Sequence, residues 1–492
     1  MADEEVVKQQ RSGRGIDHAR TAEIEDHLQP PPPVSPKRTG SMLEHVTCVV
    51  CGDLGGTNSR LELFRIDDPA RASELDLAKV GRETPFFKNT YKNDKVDGDF
   101  TTLLHQFLKD CRLTHLELVA GCLAVAGPVS NDRVHFTNLS WIVDSRQLEQ
   151  EFLMPHGSMR LINDFVANGY GVVTLADHEY DDISPRGKVD ATRGAPVACV
   201  GAGTGLGETF ATCVPGTEPV SGVLRYDAWP SEGGHVGFAP RDPIQRELLE
   251  HLHDKFGGRV STERVVSGKG IVNVYEFLAS KFPEDVDPII DKRIRTETEG
   301  AAIVSRSAYD NKLCERAMEI VLDAYGAELG NAAIKWLPFG GLYVAGGIAG
   351  KNLERIRAEG SAFYKAYLDR GRVKTVLDRI PLRLVTVDDL GLRGAHYVAI
   401  TILIEFAKNK KPALRLETSS PDDYPEPDDS DWEAKNDASD AKIQQSLEPA
   451  RIDGSSSLET ALLGVARAMV FCSVGISLTA LFCTALLTRR SI

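Results

Sequence analysis

Three features of this sequence predict an α/β fold. Between Val46 and about Ala407, apolar strand-like runs such as LELVAGCLAVAG and GGLYVAGGI alternate with helical patterns such as NKLCERAMEIVLDAYGAELGNAAIKW. Two segments, VTCVVCGDLGGTNSRLELFRI (46–66) and VACVGAGTGLGETFATCV (197–214), each read as strand, glycine turn, strand. With 492 residues, of which 42% are hydrophobic, the chain can bury the cores of at least two domains.

Taken in order, residues 1–45 mix charges of both signs with the run Pro30-Pro31-Pro32-Pro33, and no apolar period emerges. A disordered extension is expected there. Arg11, Arg14 and Arg20 would suit a mitochondrial transit peptide, but Asp3, Glu4, Glu5, Asp17, Glu23 and Glu25 weigh against one, and no apolar run reads as a secretory signal. The first strand then carries Cys48-Val-Val-Cys51, a CxxC with no second pair or histidine cluster at zinc spacing, so ordinary strand cysteines are expected. Nine cysteines without dense, even spacing fit a reducing compartment.

The first strand ends in Asp53-Leu54-Gly55-Gly56-Thr57-Asn58. A glycine costs roughly 0.5–1 kcal/mol relative to alanine, so a pair between strands marks a sharp turn or a large group approaching the backbone. Gly203-Thr204-Gly205 repeats the arrangement. In both copies the following segment alternates like a strand, whereas a Walker loop or dinucleotide fingerprint would run into a helix. Two such hairpins from separate halves of the chain could direct backbone N–H groups at one polyphosphate, with Asp53 near a divalent metal or its water shell. Unrelated tight hairpins compete with that reading for either loop alone.

Three further segments place polar residues where packing does not demand them. RLINDFVANGYG sets Asn163-Asp164 where a strand gives way to a helix, and Asp164 could be simply the helix N-cap. WPSEGGHVGFAP sets Glu232 and His235 around a glycine pair. STERVVSGKGIVNVYEFL offers Glu263 at a helix start, where glutamate often completes a capping box.

The net charge of −14 argues against a duplex nucleic-acid partner, since such proteins present clustered Lys and Arg to phosphates. Residues 409–457 turn acidic and proline-rich and read as a solvated linker. Ala468 to Leu487 holds no charged residue, is long enough for a membrane-spanning helix, and is bracketed by Arg467, Arg489 and Arg490. A buried core helix or a glycolipid-anchor signal after Gly454-Ser455-Ser456-Ser457 competes with that reading. The expectation is a tail anchor with the remainder facing the cytosol from a mitochondrial, endoplasmic-reticulum or peroxisome-like membrane, a soluble cytoplasmic protein being the alternative.

In order, GDLGGTN, AVAGPV, TNLSW, LINDF, GAGTGLG, SEGGHVGFAP, ERVVSGKGIVNVY, VAGGI and LGLRGAHYVA closely resemble the bacterial-type glucokinase family from about Val46 to Ala407. That resemblance implies a two-domain actin-like, ribonuclease-H-like ATPase fold whose cleft holds sugar and nucleotide. Residues 46–174, completed by 391–408, would form the small domain and 175–390 the large one. It implies glucose and ATP as substrates with Mg2+, and it admits a homodimer. Asn163, Asp164, Glu232, His235 and Glu263 match the sugar contacts, and Asp164 the catalytic base. Gly55, Gly56, Thr57, Asn58, Gly203, Thr204 and Gly205 resemble the phosphate contacts, with Asp53 an indirect metal residue and Gly346 and Gly347 part of the adenosine site. Lys269 stands where many relatives carry proline, and Arg393 interrupts a usually small, apolar turn. The cysteine-rich zinc motif of the related repressor/open-reading-frame sugar kinases is missing. A membrane-bound sugar sensor with weak turnover, or a kinase for another hexose, is the rival function.

Overall fold

The computed structural model describes residues 46–408, apart from 76, 78, 114, 137–138 and 216–223. Thr137 and Asn138 of the TNLSW motif, the extension, the acidic linker and the 468–487 segment therefore lie outside the described residues.

The first sheet uses β1 (Val46–Leu54), β2 (Asn58–Arg65), β3 (Phe87–Lys92), β4 (Leu116–Val125) and β7 (Met159–Asn163), in the order β3-β2-β1-β4-β7. A separate hairpin joins β5 (Arg133–His135) to β6 (Ile142–Asp144). β1 to β3 run antiparallel as meanders, whereas β1, β4 and β7 are parallel. β4 reads Leu-Glu-Leu-Val-Ala-Gly-Cys-Leu-Ala-Val, buried from Leu118 onward, because helices cover a parallel sheet on its faces.

The second sheet has the order β11-β10-β9-β12-β13-β8, from β8 (Tyr180–Asp182), β9 (Val197–Ala202), β10 (Leu206–Cys213), β11 (Tyr226–Ser231), β12 (Gly341–Ala345) and β13 (Leu382–Val385). The helices Gly268–Lys281 and Lys312–Trp336 pack together over it around Tyr275, Tyr325 and Leu329, all within a percent of full burial.

Two helices tie the layers together. Asp164–Val172 leaves β7 and packs against β9, β10 and β11 of the other sheet. Leu390–Ala407 follows the second sheet in sequence yet packs on β1, β4 and Asp164–Val172. Among the described residues it is the one helix long and apolar enough to cross a membrane, and 83% of it is buried, which makes it a core helix. His396 at its centre stacks on Phe64 at 3.6 Å, and burial pushes its pKa down to about 3, so the ring packs as a neutral aromatic.

Arg393, expected to interrupt a turn, instead lies inside this helix. Its side chain is 9% exposed and meets Glu179 at 2.8 Å and Asp389 at 2.7 Å, joining the two crossings between the sheets. Cys48 and Cys51 are fully buried free thiols on β1, and the seven described cysteines form no disulfide.

Candidate active site

Both glycine segments fold as the antiparallel hairpins that their alternation predicts. In the first, β1 pairs with β2 through Leu54↔Ser59, and the Gly55 N–H donates to the Asn58 carbonyl at 3.0 Å. Asn93 braces this turn, donating from Nδ2 to Gly55 O at 2.8 Å and accepting from Ser59 Oγ at 2.8 Å. No short motif marked Asn93, which reaches the turn from 38 residues away. In the second, β9 pairs with β10 through Ala202↔Leu206, and the Gly203 N–H donates to Gly205 O at 2.8 Å. A side chain at Gly203 would meet nothing within 4 Å, so the outer face of that turn has room for a ligand.

Gly346 and Gly347 join this second hairpin. At φ 81° Gly346 takes a left-handed turn whose added Cβ would fall 2.4 Å from Ala202 O, a position only glycine fills. The N-terminus of the helix Gly268–Lys281, capped by Ser267, also reaches the hairpin, with the Gly268 N–H on Gly203 O at 2.8 Å. Lys269 sits in that first turn, six residues after Glu263.

Parallel strand ends set the carboxylates. Leu54, Val125 and Asn163 stand side by side in register at the C-terminal ends of β1, β4 and β7, where ligands of open α/β sheets bind. The Asn163 side chain caps the helix, accepting from Phe165 N at 2.9 Å and Val166 N at 3.3 Å. Asp164 is thus the first helical residue rather than the cap, which corrects the simpler sequence reading. Burial pushes its carboxyl up to about 6, opposed by the Phe165 N–H and reinforced by the negative charge of Asp53. Asp53 is itself raised by burial, with Arg60 at 3.9 Å pulling the other way.

Phe165 carries the helix start onto the second hairpin. A Cβ at Gly207 would fall 2.1 Å from its ring and one at Gly201 2.9 Å away, so both glycines are socket walls for this ring. Asp164 therefore stands between the hairpins, coupled to Asp53 on one side and tethered through Phe165 to the other.

Glu232, His235 and Glu263 gather on the start of β10. Gly234 leaves no space above Leu206, where an added Cβ would lie 2.0 Å from the Leu206 carbonyl. The side chains of Glu232 and His235 are 87% and 56% exposed, with Nε2 and Oε2 3.9 Å apart, open for a ligand. Glu263, expected to complete a capping box, lies instead in the 3-10 turn Thr262–Arg264, and its Oε2 accepts from the Leu206 N–H at 2.8 Å.

No group of three or more His, Cys, Asp or Glu that could hold a metal ion occurs among the described residues. Magnesium needs no such cluster, since it keeps most of its waters and takes one or two carboxylates plus substrate phosphates; Asp53, its side chain 30% exposed beside the first hairpin, is the carboxylate that would hold one of those waters.

Two α/β layers bridged by the Asp164 helix, with carboxylates at the strand ends beside glycine hairpins, define the sugar-kinase class of fold. A glucokinase family profile matches residues 50–401. The glucokinase of Nostoc sp. is 38% identical over 371 residues, covering 72% of this chain and 99% of the relative. That of Synechocystis sp. is 36% identical over 366 residues, covering 71% and 97%. Among solved structures, a glucokinase from an Antarctic psychrotroph aligns with TM-score 0.55 and 25% identity over 73% of this chain and 99% of its own. A glucokinase from Balamuthia mandrillaris in complex with glucose aligns with TM-score 0.53 at 22% identity, covering 72% and 94%. This chain belongs to the glucokinase family.

Proposed function

We propose that the protein transfers the γ-phosphoryl group of ATP to the 6-hydroxyl of glucose, on an actin-like, ribonuclease-H-like plan, giving glucose 6-phosphate. One observation carries the reading: Asp164, raised to about 6 and held between two glycine hairpins, is ionised at neutral pH yet basic enough to take a hydroxyl proton. The sugar hydroxyls both donate and accept, so Asn163, Asp164, Glu232, His235 and Glu263 suit them as an apolar pocket would not. Asp164 orients the primary hydroxyl and accepts its proton as the oxygen–phosphorus bond forms. With the Gly55 and Gly203 N–H groups spent inside their turns, the remaining backbone N–H groups of Gly55–Asn58 and Gly203–Gly205 offset charge on the phosphoryl oxygens. Gly346 and Gly347 border the adenosine end. Magnesium, when bound with the nucleotide, supplies further charge neutralisation, and Asp53 would hold one of its waters. Because phosphoryl transfer is loose, positioning contributes more than nucleophile strength.

A coupled assay of the chain against glucose, mannose and fructose, each with ATP and other nucleotides, tests this. Glucose with ATP is expected to give the highest kcat/KM. A preference for another hexose or donor would redirect the assignment, and sugar binding without turnover would favour the sensor.

We further propose that residues 468–487 anchor the chain in a membrane with the kinase on the cytosolic face. An uncharged stretch of about 20 residues bracketed by arginines supports it, and so does the polar linker that separates it from the kinase.

A further inference from the structure

β10 carries an acid that the sugar-matching residues do not include. Glu208 pairs in register with Val200 on β9 and Ser231 on β11, and it is completely buried. Its carboxyl lies directly under the sugar loop: an added Cβ on Gly233 would fall 1.9 Å from Oε2. Among the described residues, neither Glu208 oxygen receives a hydrogen bond from an N–H or hydroxyl. An ionised carboxylate so placed would be strongly disfavoured.

The partner it does have is another acid. Glu328 on the helix Lys312–Trp336 is 3% exposed and accepts from Lys335 Nζ at 3.2 Å and Asn331 Nδ2 at 3.1 Å. Burial pushes the Glu208 carboxyl up to about 7, with the Glu328 charge and a hydrogen bond to Glu328 adding to the rise and Lys335 opposing it. Out of water and facing the Glu328 charge, the Glu208 carboxyl holds its proton more tightly than a free carboxyl does. Tyr325 lies on the same helix, also buried and in electrostatic reach of Glu208. Glu232 and His235 stand on the loop above, while the in-register neighbours Val200 and Ser231 are uncharged. Behind the loop, Glu328, Asn331 and Lys335 face Val236 to Ala239 and Thr262 across a cavity of about 480 Å³, so the loop has space to withdraw.

We propose that Glu208, buried without an N–H or hydroxyl partner beneath Gly233 and beside the Glu328 carboxylate, is a positioning residue that in its protonated form seats the loop bearing Glu232 and His235 and thereby sets affinity for the sugar. It touches no substrate. The protonated carboxyl lets the Gly233-Gly234 backbone lie flat on β10. Loss of the proton puts two negative charges under the loop, and the displaced loop carries Glu232 and His235 away from the sugar hydroxyls. Apparent affinity then scales with the protonated fraction, because only the seated loop is binding-competent.

The inference rests on the proposed sugar kinase reading, and its test separates the two. Glucose binding is followed by the fluorescence of Trp229, which sits on β11 two residues before Ser231, and KM and kcat come from a coupled assay on the full chain. For a group titrating near 7, the glucose Kd and KM of the wild type should rise about tenfold between about pH 6 and pH 8, with the ATP KM flat. Glu208→Gln carries a neutral amide that donates to Glu328 at every pH, so its glucose KM should stay at the low-pH value while kcat follows the wild type. Glu328→Gln removes the charge that holds the proton on Glu208, and the rise should move to lower pH. A rise retained in Glu208→Gln, or left in place in Glu328→Gln, overturns the proposal. Should Glu208→Gln fail to fold, the Glu328→Gln shift decides alone. A wild type that binds no glucose at any pH would sink the sugar kinase reading itself, whereas tight binding with a pH-independent Kd sinks only this inference.

Discussion

Replacing Asp164 by asparagine keeps the shape of the side chain and removes its basicity. The helix stays capped, because Asn163 supplies the cap, so lost activity in Asp164→Asn is not lost folding. General-base assistance contributes about 10²–10⁴-fold, or roughly 2.7–5.5 kcal/mol of transition-state stabilisation, and kcat should fall by that factor. Glucose binding should persist. The wild type adds a pH signature: with the carboxyl at about 6, the ionised fraction drops from about nine-tenths at pH 7 to about one-tenth at pH 5, so kcat/KM should fall about tenfold over that range. The stability effect has the opposite sense to the catalytic one. A carboxyl whose folded pKa lies above its unfolded value of 3.8 contributes most stability below that value and loses it as pH rises through about 6. Asp164→Asn should therefore unfold at no lower temperature than the wild type at pH 7. Steady-state kinetics from about pH 5 to pH 8, with thermal melts, measure both. Turnover within about tenfold of wild type in Asp164→Asn, or a wild-type kcat/KM flat below pH 7, would remove Asp164 from the base role.

Gly207→Ala drives a methyl into the Phe165 ring at 2.1 Å and should cost about 1–3 kcal/mol or more, read as a lowered Tm, while kcat drops because the ring locates Asp164. Arg393→Met should cost about 3–5 kcal/mol in urea unfolding by leaving Glu179 buried without its cation. Burial works to raise Glu179, but the Ala176 N–H and Arg393 outweigh it and leave its pKa lowered. Its stabilisation is accordingly present above about 4.5 and lost as pH falls through the folded value, so the Arg393→Met deficit should shrink in acid. Truncation after Ser457 should yield a soluble, active kinase, while the full chain resists carbonate extraction; Ile476→Arg adds roughly 2.5–3.5 kcal/mol to insertion and should release the chain. An inactive truncation, or an Ile476→Arg chain that stays bound to membranes, would return residues 468–487 to the folded core.

Local chemistry alone determined a good part of this protein. Apolar alternation broken by Gly55-Gly56 and by Gly203-Thr204-Gly205 made two hairpins, since a strand pattern on both sides of a glycine turn has few other ways to fold. Leu161-Ile162 followed by Asn163-Asp164 marked a strand end with polar groups exposed at it, and β7 ends there. Which of the two polar residues capped the helix was not legible, because a side chain's cap depends on backbone angles that packing sets; Asn163 supplies the cap to Phe165 and Val166, while Asp164, the first helical residue, accepts from Phe165 N. Glu263 carried a local capping signature but bonds Leu206, 57 residues away, and Arg393 read as a turn residue but pairs with Glu179 across the two crossings. Glu208 could have been noticed as an acid in phase with buried Leu206, yet its meaning required Glu328, 120 positions later on another helix. Spacing along a chain records the contacts that one hairpin or helix turn can make. Desolvation, facing buried acids and sockets such as Phe165 between Gly201 and Gly207 arise only when distant segments are pressed together and water is excluded, and the tertiary structure alone decides them.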